Sequence, residues 1–174
     1  MTGPLVAAAV LGGIVNALAP RVGAASAQPK IYFLVSSGKA LVAVTPTRPL
    51  RTPAVALAAL IAGPNAAQRA AGDEASFPVG TRTSSLKVNG SMAIVALSGV
   101  PLLHLRTIPR LRLIASVTYT LTGFRTIQTV RFSLRQHPWG VYDHSGRVIR
   151  DYRRATRAHP WPTACAPGDG CFTP

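Results

Sequence analysis

Acidic side chains are scarce in this chain. Five Asp and Glu stand against nineteen Lys and Arg, for a formal charge of +14. That shortage removes most of the raw material for paired-carboxylate acid–base chemistry and for calcium loops, which need several oxygen ligands. Thiols are scarcer still: Cys165 and Cys171 are the only two. Two thiols do not fill a tetrahedral zinc site, and His159 stands too isolated to join them. There is no glycine-rich phosphate loop and no His/Cys set at metal-ligand spacing, so neither a cofactor nor a metal is expected. Near the N-terminus the apolar run Leu5 to Ala19 covers 15 residues, short of the roughly 20 that span a bilayer core.

That run reads as the apolar region of a secretory signal over residues 1–27. Ala25-Ser26-Ala27 supplies small residues at the two positions a signal peptidase inspects, and cleavage is expected after Ala27. Met1-Thr2-Gly3-Pro4 departs from the pattern in carrying no Lys or Arg. A retained membrane anchor and a buried Ala/Val-rich helix are the alternatives. No cysteine stands near the cleavage site, so no lipid anchor is expected. The address is secreted or extracytoplasmic, in the cell envelope, with membrane anchoring if the signal is not cleaved. The paired cysteines agree with export. They bracket Ala-Pro-Gly-Asp-Gly, and an even pair in a signal-bearing chain reads as a disulfide, Cys165–Cys171.

Only Lys30, Lys39 and Lys87 are lysines, so arginine carries most of the positive charge. Guanidinium groups stay charged and grip carboxylate or phosphate in a bidentate fork. For an exported chain the polyanions at hand are envelope polymers and lipid headgroups rather than nucleic acid, which is not an expected partner. The plainer alternative is a solvated surface written in arginine. Arg147, Arg150, Arg153, Arg154 and Arg157 crowd one stretch against the lone Asp151. They are the candidate anionic-surface residues, with Trp139 and Trp161 nearby as aromatic companions.

The order of elements is legible. Ile31 to Val35 and Ala40 to Thr45 form a β-hairpin about Ser36-Ser37-Gly38-Lys39. Thr52 caps a helix opened by Pro53 and stopped by Gly63-Pro64, with Ala54, Leu57, Ala58 and Ile61 as its inner stripe. A second short helical piece runs from Pro64 to Gly72. Phe77-Pro78-Val79-Gly80 is a loop. Thr83 to Val88 and Ser91 to Leu97 are strands joined by Asn89-Gly90, the pair suited to a type I′ turn. Met92 to Leu97 has no polar side chain, so both of its faces should be covered. A helix with Pro109 near its start and Gly123 beyond its end buries Leu111, Ile114, Val117, Thr118 and Leu121. Strand Thr126 to Arg135 turns Val130, Phe132 and Leu134 inward and Thr129, Arg131, Ser133 and Arg135 outward. Val141-Tyr142-Asp143 and Arg147-Val148-Ile149 flank a short hairpin. The β-α-β-β-α-β order predicts an α+β two-layer sandwich, a mixed sheet with two main helices packed on one face.

Chemistry has few footholds. Asp143-His144-Ser145 holds the three side chains of a hydrolase triad, but consecutive residues diverge and cannot converge in a line. Asp73-Glu74 reads as a solvated pair in a Gly-rich loop, and His104 as a surface or capping residue. No catalytic residue is assigned, and the chain is not expected to be an enzyme.

From about Lys30 to Arg135 the sequence resembles the GerMN domain, the sporulation and spore-germination module of bacterial envelope proteins. Four stretches carry the resemblance. They are Leu41-Val42-Ala43-Val44-Thr45; Ala58 to Pro64 running on to Ala70-Ala71-Gly72; Phe77 to Thr81 followed by Val88-Asn89-Gly90 and Val95 to Ser98; and Thr118 to Phe124, closing with Val130-Arg131-Phe132. The resemblance implies a fold similar to the ring-building motifs of sporulation secretion channels, an extracytoplasmic address and no catalytic residues. One copy of the domain, residues 28–135, is visible. The basic extension 136–174 lies beyond the resemblance. Together these readings point to an exported, non-enzymatic envelope binding or assembly module. Its expected partners are an anionic wall polymer, a membrane surface or another envelope protein, with homo-oligomerisation through a sheet edge as a further expectation. A secreted hydrolase acting on cell-wall material is the alternative.

Overall fold

The computed structural model describes residues 28–38, 40–142 and 147–154, and the backbone of 164–166 and 170–172. Strand β1 (Ile31–Val35) is the centre of a three-stranded antiparallel sheet between β2 (Leu41–Val44) and β3 (Asp73–Glu74). The β1–β2 hairpin is as predicted, while the expected Asp73-Glu74 loop is a short strand paired with Val35 and Leu34.

Helix α1 (Pro53–Ala62) begins and ends where the sequence places it. The Thr52 hydroxyl accepts from the Val55 amide at 3.3 Å, Pro53 opens the first turn, and Gly63 leaves the helix at φ 81°. Its buried residues are Ala56, Leu57 and Leu60, whereas Ala54 and Ala58 are exposed. The inner stripe is therefore rotated from the predicted one. Nearly every side chain of this helix is apolar, so periodicity has no polar face against which to orient it. Helix α2 (Ala66–Ala70) starts on a reciprocal cap: the Gln68 amide donates to Asn65 Oδ1 at 2.9 Å and the Asn65 amide to Gln68 Oε1 at 2.7 Å.

The second sheet has the order β4-β5-β6-β7, from β4 (Arg82–Asn89), β5 (Met92–Ser98), β6 (Thr129–Leu134) and β7 (His137–Pro138). β4 and β5 are the predicted hairpin, but Asn89 pairs with Met92, so Gly90 and Ser91 are the turn's central residues. Gly90 has φ 57° and neither Asn89 nor Ser91 has positive φ. Glycine at the first central position is the type II′ signature rather than the I′ one expected. The I′ pattern lies instead between β6 and β7, where Arg135 and Gln136 have φ values of 51° and 69°.

β5 and β6 run parallel, from Met92 opposite Thr129 to Leu97 opposite Leu134. The crossover contains α3 (Val100–Leu103), a short helix not expected from the sequence pattern, and α4 (Thr107–Leu121). Every member of the predicted α4 stripe is buried, and so are Leu113, Ala115, Ser116 and Thr120. The helix is enclosed well beyond one stripe because it packs against α1, β1 and β6. In β5 only Ala93, Val95 and Leu97 are fully buried; Met92, Ile94 and Ala96 on the other face are half-buried, so that face is less covered than its apolar sequence predicts. Thr129, expected to face out, is buried at the head of β6.

The class is α+β, as expected, with the strands of the domain divided between these two sheets, a separate two-stranded ribbon near the C-terminus, and α4 as the central element. Part of the C-terminal extension completes the second sheet. β8 (Asp151–Tyr152) pairs with β6, setting Tyr152 opposite Val130 and Asp151 opposite Arg131. Trp139, Val141 and Tyr152 are buried, and the Phe132 ring lies 6.3 Å from Trp139 and 5.7 Å from Tyr152 in edge-on arrangements. Trp139 is thus core, not the exposed aromatic companion that its place in the sequence suggests. The predicted hairpin beyond it survives as a Tyr142–Val148 bridge.

Candidate anion-binding face

The arginine-rich stretch is divided by the backbone that carries it. Arg147 and Arg150 are exposed and, with Pro138 and Val148, line an open cleft of about 530 Å³ beside the end of the second sheet. Arg153, also exposed, donates from Nε to the Thr129 hydroxyl at 3.2 Å. Arg154 turns inward. Its guanidinium sits over the rings of Tyr32 and Tyr119, 5.3 and 5.0 Å from their centroids, and donates to the Tyr119 carbonyl at 2.8 Å. Those contacts tie the extension to β1 and α4. Arg157 lies outside the described residues.

Asp151 is not alone among these cations. Arg131 holds it in a fork, Nε to Oδ1 at 2.8 Å and Nη2 to Oδ2 at 3.1 Å, across the β6–β8 pairing. The hydrogen bond it donates to Asp151, and the charge of that carboxylate, push the Arg131 pKa further up, so this guanidinium is committed to its carboxylate. The alternation that turns Arg131 outward was visible in the sequence; that Asp151 would arrive beside it from 20 residues away was not. Arg110 is likewise structural. It donates to the carbonyls of Gly140 (3.1 Å) and Leu105 (2.8 Å) and lies 5.6 Å from the Trp139 ring centroid.

The remaining candidate residues do not converge. Asp73 is half-buried and Glu74 exposed on β3, and His104 is an exposed residue closing α3. Asp143-His144-Ser145, Trp161 and the signal-like residues 1–27 lie outside the described residues. Among the described residues no three His, Cys, Asp or Glu side chains gather as a metal site, and no helix is long and apolar enough to cross a membrane. β9 (Ala164–Ala166) and β10 (Gly170–Phe172) pair antiparallel with Cys165 opposite Cys171. Their side chains, and hence the predicted disulfide, lie outside the described residues.

The family model for sporulation and spore germination, Germane, matches residues 30–138. The chain belongs to this family. Among solved structures, it is similar to the first GerMN domain of the sporulation protein GerM from Bacillus subtilis. That match has 20% identity and a TM-score of 0.57, over 73% of this chain and 97% of that one. It is also similar to the tandem GerMN domains of the same protein, at 20% identity and a TM-score of 0.56 over 73% of this chain. This chain spans 46% of the tandem structure's length. At this identity the likenesses establish the fold. No curated protein matches. As a Germane chain, the molecule carries its matched domain into β7, and Trp139, Val141 and Tyr152 pack just past the family boundary.

Proposed function

We propose that this Germane chain is an exported, non-enzymatic binding or assembly module of the cell envelope. In this reading it docks on an anionic envelope polymer or lipid surface through the face built from Arg147, Arg150 and Arg153. The observation that carries the reading is the exposed pair Arg147 and Arg150 along one cleft. The formal charge of +14 supplies long-range attraction to any polyanion. Family membership and the scattered placement of Asp73, Glu74 and His104 support a scaffold rather than an enzyme. Arg154 has the separate role of holding the extension in place.

Co-sedimentation of the purified chain with envelope fractions, and with phosphatidylglycerol against phosphatidylcholine vesicles, tests the proposal. Binding should fall steeply as salt rises. Arg147→Gln with Arg150→Gln should cost about 1 kcal/mol per residue near a charged surface, roughly thirtyfold together. Binding that is indifferent to salt and to both substitutions would overturn it.

A further inference from the structure

A second cleft lies between the first sheet and the start of α4, apart from the basic face and independent of it. It measures about 220 Å³, and its lining includes Leu34, Phe77, Pro78, Leu105, Pro109 and Arg112. Ser76 forms part of its lining, with its hydroxyl 2.5 Å from that of Ser116. Among the described residues of this lining, Arg112 is the one that carries a formal charge. It lies over Gly38, so close that a Cβ there would come within 2.7 Å of Nη1. Gly38 at φ 62° thus leaves the space the guanidinium occupies.

Arg112 Nε is buried without a hydrogen-bond partner, and among the described residues none accepts from the rest of the group. Asp73 and Glu74, on the adjacent β3, form no ion pair with it. A guanidinium nitrogen buried without a partner beside an apolar wall is unusual, since buried polar atoms are normally paired. Arg112 as a whole is half-buried, with its outer nitrogens open to an incoming acceptor. Its planar fork matches a carboxylate.

We propose that this cleft captures the C-terminal residue of a partner protein, an apolar side chain lying on Phe77, Leu105 and Pro109 while the terminal carboxylate accepts from Arg112. Size selects this occupant. The cleft is smaller than the roughly 300–1,000 Å³ of sites for drug-sized ligands, so it holds a residue-sized group and excludes a long acyl chain. A terminal apolar residue is the peptide unit that joins a hydrophobic body and a carboxylate within that length. Val79, the residue after Pro78 in the chain, is 97% exposed.

The test is an amide-resonance titration of the labelled chain with the pentapeptide acetyl-Gly-Gly-Ser-Gly-Leu, its C-terminal amide, and octanoate. The free acid should shift Leu34, Ala75, Phe77 and Leu105 saturably. Amidation should weaken binding at least about tenfold, as loss of a charge-assisted hydrogen bond predicts. Arg112→Gln should make acid and amide equal, with thermal unfolding reporting whether the variant is folded. The amide comparison leaves the protein untouched, so it decides even if that variant is unstable. Equal binding of acid and amide, tighter binding of octanoate, or no saturable shift at these residues would each overturn the proposal.

Discussion

The guanidinium of Arg154 lies 5.0 Å from the ring centroid of Tyr119 and donates to the Tyr119 carbonyl at 2.8 Å. The same group faces Tyr32, whose ring centroid is 5.4 Å from that of Tyr119. One arginine from the extension therefore bridges a strand of the first sheet and the last turns of the central helix. Arg154→Ala should lower stability by about 1–2 kcal/mol, from the lost cation–π contact and the lost donors. Urea unfolding measures the loss. Lysine at this position should restore only part of it, having no planar fork. Binding to anionic vesicles should survive either change, whereas Arg147→Gln with Arg150→Gln should reduce it.

Alkaline pH should loosen the extension. The buried Tyr152 hydroxyl accepts from the Val141 amide at 2.9 Å. Burial pushes its pKa from the ordinary 10.0 up to about 12, against the opposing pulls of the Val141 hydrogen bond and the Arg110 charge. Unfolded tyrosine ionises near 10 while the folded one keeps its proton, so the native state binds more protons between about pH 10 and 12. Stability from this group is complete below pH 10 and declines across that window, by up to about 2–3 kcal/mol. Denaturation midpoints at pH 8 to 12 measure it. Tyr152→Phe should remove this component of the alkaline loss, while costing about 1–3 kcal/mol at neutral pH through the orphaned Val141 amide.

The Arg135-Gln136 turn stores strain. Both residues have positive φ, a conformation that favours Asn and Gly in two-residue hairpin turns. Arg135→Asn with Gln136→Gly should therefore raise stability by about 1 kcal/mol, since left-handed backbone costs an ordinary residue about 1–2 kcal/mol. A higher melting temperature confirms it. An unchanged one would show that the surrounding packing, not the turn, sets this conformation.

Cys165 and Cys171 are direct cross-strand partners. Opposed residues of an antiparallel pair have Cα atoms about 4.5–5.5 Å apart, within the span a disulfide bridges. The purified chain should gain the mass of two hydrogens on reduction. Under the loop-entropy account, closing so short a loop should contribute only about 2 kcal/mol, so the doubly Ser-substituted chain should still fold. Free thiols titrating in the untreated, non-reduced chain would sink this expectation.

Local chemistry made the fold's punctuation readable. Thr52-Pro53 opens α1, Gly63 closes it, and the Val130, Phe132 and Leu134 alternation marks the buried face of β6. Orientation was less readable where contrast is missing, as in α1, whose apolar residues surround the axis. The site was hardest, because its residues acquire their roles from distant partners. Asp151 looks solitary until β8 meets Arg131, Trp139 looks exposed until Phe132 receives it, and Arg154 joins a basic run by sequence but an aromatic pair in space.

The parallel pairing of β5 with β6 carries a consequence for how the chain matures. β6 acquires β5 along one side, and its remaining partners, β7 and β8, come after it in the chain. A polypeptide emerging amino end first can form its hairpins and helices early, yet Phe132 stays without its ring partners until residues 139–152 have cleared. A product cut at residue 138, where the family match ends, would be left permanently at that stage. Residues 139–152 thus work as the latch of a domain whose two main helices and first six strands precede them in the chain.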